Sequence, residues 1–203
     1  MTTSRTWRVS GSQRRREIVT AALDLLGEGG IMAASTTEIA ARVGLTQSGL
    51  FKHFKNKEEI LRAAMDAIGE RVGERVAHAA MSSATSLQRL RAVIESYLDV
   101  AAELPALTAL LFGGESRTEG ALAFLRAAIQ VRFDRLRDVL EDLLRQGVRN
   151  GELGPAVDVE AAALLLVGVA QAILLRRHLA DQELDHRREL DRMWALVEAT
   201  LRP

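Results

Sequence analysis

Apolar residues recur along this chain at intervals of three and four, the period of a helix with one buried side, and no stretch sustains the alternation of a strand. Ile18, Ala21, Ala22, Leu25 and Leu26 form the first stripe, with Ser12 placed to cap it and Gly29 and Gly30 to stop it. A short stripe of Ile39, Ala40 and Val43 comes next. Ser35 or Thr36 can cap it, Ser35 and Glu38 have the spacing of a capping box, and Gly44 ends it. After Leu45, Thr46 can cap another short helix reaching about His53, with Leu45, Leu50 and Phe54 on its inner side. From Glu58 to about Ala79, Leu61, Met65, Ile68, Val72 and Val76 lie four, three, four and four residues apart.

The same period predicts a helix that Ser86 can cap, ending before Pro105, then a short one from Pro105 to Phe112 and a long one from about Glu119 to Arg149. Two more follow, Asp158 to about Ala180 and about His186 to Leu201. The uninterrupted apolar run 161–170 is too short to span a bilayer and reads as a helix buried all round. The fold class expected is all-α. Residues 1–11 form a flexible arm in which Arg5 and Arg8 can approach DNA, 12–57 a three-helix helix-turn-helix head, and 58–203 a helical bundle for ligand binding and dimerisation. The join falls inside the helix starting near Glu58, so it is no flexible linker.

Two short helices around one glycine match the helix-turn-helix. Thr46, Gln47, Ser48 and Lys52 face outward on the second of them. Gln can hold adenine bidentately, Thr and Ser can bond base edges, and Lys reaches phosphate. Gly49 leaves no side chain where that helix must approach the DNA backbone closely. Lys55, Lys57 and the start of the next helix would make a phosphate-binding corner. An ordinary amphipathic helix pair with a solvated polar face fits this pattern too.

The spelling narrows the choice. IAxxVGLTxSGLFxHFxNK, Ile39 to Lys57, resembles the DNA-binding segment of the TetR-type, tetracycline-repressor-like, transcriptional regulators. The likeness is strong from about Arg14 to Leu61 and architectural beyond. It implies that Thr36 and Thr37 open the first helix of the motif at backbone or base contacts. Thr46, Gln47 and Ser48 match the groove-facing start of the recognition helix, and His53 and Lys57 match phosphate-contacting positions. One departure is Phe51, where the family usually has Tyr. Lacking a hydroxyl, Phe51 cannot donate to phosphate and is carried over as a packing residue only.

Charge changes the picture once it is divided. The net charge is zero, yet residues 1–57 carry nine Lys and Arg against four Asp and Glu, leaving the remainder acidic by the same margin. A basic head and an acidic body fit two jobs, one of them beside phosphate. Arg14, Arg15 and Arg16 stand in the first turn of a helix, where the dipole disfavours cations and nearby phosphates would favour them. Cysteine is absent, which removes disulfides and thiolate chemistry, and the first sixteen residues have no apolar run of the signal-peptide kind. The expected location is the cytoplasm.

One recognition helix reads few base pairs, so a two-fold pair reading half-sites about 34–36 Å apart is expected on a palindromic operator. A helix apolar all round also needs partners on both sides. The last two helices can therefore bury one face in their own bundle and another against a second subunit. The resemblance implies that they form a four-helix dimer interface, with Leu166, Val169, Ile173, Leu190, Trp194, Val197 and Leu201 as the expected contacts.

A ligand pocket among the central helices is likewise implied by the resemblance. Its expected lining is Tyr97, Leu98, Leu107 and Leu111, then Phe112, Ile129, Gln130, Phe133 and Gln171, a mix that also suits plain core. The four histidines show no metal-binding spacing and no phosphate-binding glycine loop occurs, so neither enzyme, metal nor cofactor is expected. The function expected is a ligand-responsive repressor released from its operator by a small apolar or amphipathic effector. Alternatives are an activator of the same family, or a helical ligand-binding or scaffold protein without sequence-specific DNA binding.

Overall fold

A computed structural model describes residues 10–82, 84–112, 123–180 and 184–202. They form helices α1 (Gly11–Ala33), α2 (Thr36–Arg42), α3 (Gln47–Leu50), α4 (Lys57–Ala80), α5 (Ser86–Glu103), α6 (Pro105–Phe112), α7 (Ala123–Arg149), α8 (Val159–Leu179) and α9 (His186–Leu201). No strand occurs among the described residues. Most of the arm and the expected start of α7 at Glu119 lie outside them.

Short polar side chains set most helix starts, because each supplies an acceptor for an amide with no partner in the first turn. Ser10 accepts from Gln13 N and so caps α1, displacing the expected Ser12 by one Gly-separated step. Ser35 accepts from Glu38 N, Thr46 from Gly49 N, and Asn56 from Glu59 N. Thr85, not Ser86, caps α5, in a reciprocal capping box with Gln88. Ser86 is fully buried, and its amide donates to the Glu152 carboxylate. Gly44 follows α2 at φ 68°, a left-handed conformation that lets the chain reverse into α3 without side-chain strain.

Helices α1–α3 pack with the start of α4, and α4–α9 build the larger bundle. The buried apolar residues of both parts join in one cluster, from Ile18 in α1 through Ile68 in α4 to Leu201 in α9. A second seam lies where α1 meets α6. A Cβ at Gly27 would come within 3.1 Å of Pro105 Cβ and 3.2 Å of Ala106 N, so glycine permits that approach.

Helix α8 packs against α5, α6, α7 and α9. By length and composition the full 21-residue helix could cross a membrane, so the brevity expected from 161–170 alone does not hold. Only 44% of its most apolar stretch is buried. The buried side includes Ala163, Leu166, Ala170, Ile173 and Leu174. Leu164, Leu165, Leu175 and Leu179 remain exposed, as does Leu196 on α9.

The expected dimer contacts all lie inward in the single chain. Leu166, Val169, Ile173, Leu190, Trp194, Val197 and Leu201 are all buried within the single chain. A helix apolar around its whole circumference carries no phase, so its sequence cannot say which stripe turns inward.

Candidate nucleic-acid interface

The head builds its outer surface from local rules. Ile39 and Ala40 on α2 and Leu50 at the end of α3 are buried, which turns the remaining faces of these short helices outward. Thr37, Thr46, Gln47, Ser48 and Lys52 are exposed, whereas Thr36, Gly49, His53 and Lys57 are half-buried. Three bonds organise the group. Gln47 Nε2 donates to Thr36 Oγ1 at 2.8 Å, tying α3 to the start of α2. Thr46 Oγ1 lies 3.0 Å from Ser48 Oγ while accepting from Gly49 N at 3.1 Å. The Gln47 amide oxygen and the Ser48 hydroxyl thus sit on a fixed platform. A Cβ on Gly49 would fall 3.3 Å from Thr46 Oγ1, so this glycine also serves the cap.

Three expectations need correction. Phe51 does not pack away: it is 43% exposed, at the end of the recognition helix. Lys57 is not a free cation at a phosphate corner, since its Nζ donates to Ile31 O at 2.9 Å. The corner itself is filled by the chain's own acceptors. Glu59 takes the Lys55 amide at 2.7 Å and pairs with Arg15 at 3.1 Å, and Asn56 takes the Glu59 amide at 2.8 Å. The Lys55 amide and then Arg15 hold the Glu59 carboxyl below the usual carboxylate range.

The arginine triplet divides similarly. Arg14 pairs with Glu17 at 2.7 Å, and Arg15 lies over the Phe54 ring, 3.9 Å from its centroid, while donating to the His53 carbonyl. Arg16 is exposed without an ion-pair partner among the described residues. Arg14, Arg15 and Lys57 are therefore engaged inside the head, whereas Arg16, Lys52 and Lys55 stay outward.

In the bundle, a cavity of about 30 Å³ lies between α4, α5, α6 and α7. Five expected residues line it: Tyr97, Leu107, Leu111, Ile129 and Phe133. The others lie elsewhere. Leu98 is core, Phe112 stacks at 5.9 Å on His178, Gln130 is exposed and donates to Asp134 at 3.2 Å, and Gln171 is half-buried off the cavity. Burial pushes the Tyr97 phenol pKa up, leaving a neutral hydroxyl in an apolar wall. Met65, Ile68, Val72, Leu110 and Arg132 complete the lining and escaped the sequence reading. One signal pointed to them: Gly69 and Gly73 in mid-helix on α4, each a cost to helix stability that asks for a packing reason.

Comparison with known proteins places this geometry. The chain is 28% identical over 193 residues to the nucleoid occlusion factor SlmA of Vibrio atlanticus, covering 94% of this chain and 97% of that one. A TetR transcriptional regulator from Chloroflexus aurantiacus superposes with a TM-score of 0.82 at 22% identity, covering 95% of this chain and 98% of that one. Bacillus subtilis FadR, solved in complex with stearoyl-CoA, gives 0.75 at 23% identity, covering 91% and 98%. AibR, solved with isovaleryl coenzyme A and operator DNA, gives 0.69 at 26% identity, covering 90% and 97%. Residues 86–196 match the family described as the tetracyclin repressor-like C-terminal domain. With residues 18–64 matching the bacterial regulatory proteins of the tetR family, the chain belongs to that family of DNA-binding transcriptional regulators.

Proposed function

We propose that the chain works in the cytoplasm as a homodimeric repressor of a palindromic operator, released by a small amphipathic effector bound in the larger domain. The carrying observation is the exposed Thr46–Ser48 platform at the start of α3, with Gln47 braced on Thr36. In this reading residues 12–57 are the reading head, with Gln47 and Ser48 on base edges and Thr37, Lys52 and His53 on the backbone. Residues 58–203 hold the effector and the dimer face.

Several features support the rest. The exposed leucines of α8 and α9 give an apolar face that a second copy would cover. The cavity is apolar apart from Tyr97 and Arg132, and two relatives of the same fold were solved with acyl-coenzyme A thioesters. A cavity of about 30 Å³ is far below the several hundred of an ordinary ligand site, so an effector must part the helices around it. Because α4 both walls the cavity and enters the head, parting them moves the reading surface.

Selection of bound fragments from random duplex DNA tests the reading. The expected product is an inverted repeat whose binding needs a dimer. Gln47→Ala should then lose roughly 1–3 kcal/mol of discrimination at one base pair per half-site. Recovery of no preferred sequence, or an equal loss on all sequences for the Gln47 variant, defeats it.

The likeness to nucleoid occlusion factors favours a second reading, in which the same head binds many chromosomal sites and acts other than at a promoter. Genome-wide occupancy separates the two. A few promoter sites support the repressor; many dispersed sites support the alternative.

A further inference from the structure

Arg132 on α7 sits in an unusual place for a cation. Its side chain is 20% exposed and lies flat on the backbone of α4. A Cβ at Gly69 would meet its Nε at 2.7 Å and its Cζ at 3.0 Å, so only glycine leaves room for the guanidinium there. Nη1 donates to Ala128 O at 2.7 Å, Nη2 donates to Met65 O, and Asp66 is 3.3 Å away. The buried Nε has no hydrogen-bond partner among the described residues. A guanidinium held by two carbonyls and one exposed carboxylate, with its buried Nε unused, is a charge with a donor still to satisfy.

Its position adds a second observation. Arg132 borders both the apolar cavity and a groove of about 320 Å³ between α4 and α7. Val72 also borders both. The floor of the groove is open at Gly73, where an added Cβ would meet nothing within 4 Å. Its charged residues besides Arg132 are Arg135 and Asp138, so it carries net positive charge.

We propose that Arg132 is the head-group receptor of the effector site, and that the effector is an amphiphile with an apolar tail and an anionic head. This rests on the regulator reading given above and adds the ligand's chemistry to it. The tail enters past Val72 into the apolar cavity. The anionic oxygens take the unused Nε and displace Met65 O at Nη2, adding charged acceptors to the exposed Asp66 carboxylate that Nη2 already meets. Losing that bond frees α4 from α7 at Gly69. The same ligand that fills the cavity thus unfastens the helix that enters the head, which is the differential affinity that release from DNA requires.

The test uses the full chain and its selected operator fragment. Dodecanoate, dodecanol and dodecanoyl-coenzyme A are titrated in turn, with calorimetry for binding and operator affinity for release. The expected result is that an anionic probe binds and weakens operator affinity roughly tenfold more than the alcohol does. Arg132→Met should abolish that preference and Arg132→Lys should keep part of it. A carboxylate source shows as dodecanoate action. A phosphate source shows as action of the thioester alone, again lost in the Met variant. Gly69→Ala guards against misfolding of the Met variant: its Cβ displaces the guanidinium and should change affinity for the anion while leaving the alcohol unaffected. Three results overturn the proposal: binding of none of the probes, an alcohol as effective as both anions, or an anion preference that survives Arg132→Met. Failure of operator binding itself sinks the regulator reading instead, and calorimetry still reads the anion site.

Discussion

The two halves of α4 are built to opposite specifications. From Lys57 to Ile68 the helix is fastened: Ile60, Leu61, Ala64, Met65 and Ile68 are buried, and Lys57 and Glu59 tie it to Ile31 O and Arg15. From Gly69 to Ala80 only Val76 and Ala79 are buried, and two glycines open the face toward α7. There the polar links are a guanidinium on Gly69 and the pairs of Arg71 and Arg75 with Glu103, at 2.6 and 2.9 Å. Exposed pairs of that kind contribute little. One end of the rod is held by dense packing and the other by the sparser burial of Val76 and Ala79 together with replaceable polar contacts, so a change at the far end moves the head as a unit.

Substitutions in each half sharpen that contrast. Ile68→Ala should cost about 2–5 kcal/mol by leaving a cavity at a fully buried site. Thermal melting should show it as one transition lowered by roughly 5–15 °C, because head and bundle share a core. Two separate transitions would break the picture of a continuous core. Lys57→Met should cost about 1–2 kcal/mol by stripping Ile31 O of its charged donor. Chemical denaturation measures it, and the loss should come with weaker DNA binding.

Gly73→Ala should instead gain about 0.5–1 kcal/mol, since alanine stabilises a helix and the added Cβ has open space. The same methyl narrows the groove, so effector affinity should fall while melting temperature rises. Glu59 gives the smallest effect. Its carboxyl is held below the usual range, so its contribution is present above the unfolded-state pKa and lost as pH falls through the folded one. Melting below the ordinary carboxylate range should therefore be less pH-dependent in Glu59→Gln than in the parent; identical profiles would remove Glu59 from the head's anchoring.

The head was legible in the sequence because its determinants are short-range. Ser35, Thr46 and Gly44 act on amides and turns within a few residues, and each does what its position implies. What the string of residues could not show was which cations were already spoken for, because Lys57 and Arg15 find their partners 26 and 44 residues away in sequence. Phe51 was misread for a related reason: its burial depends on how α3 lies against the rest of the head, where α2 is its packing partner, not on its own neighbours. The bundle yielded its helices but not its faces. Helix α8 offers apolar side chains in every direction, so the leucines left outside could not be told from those inside. The bundle cavity was half legible, through its aromatic and aliphatic lining. Arg132 was missed because a lone arginine on an amphipathic helix looks solvated until a glycine on another helix makes room for it.

The contact at Gly27 limits how any such signal can travel. The head hangs from the body at two places, along α4 and where α1 rests on Pro105 at the start of α6. A solid attached at two places cannot slide freely; it turns about the line that joins them. Pulling on α4 therefore swings the head like a gate on a pair of pins, and a side chain larger than hydrogen at Gly27 would jam one of them.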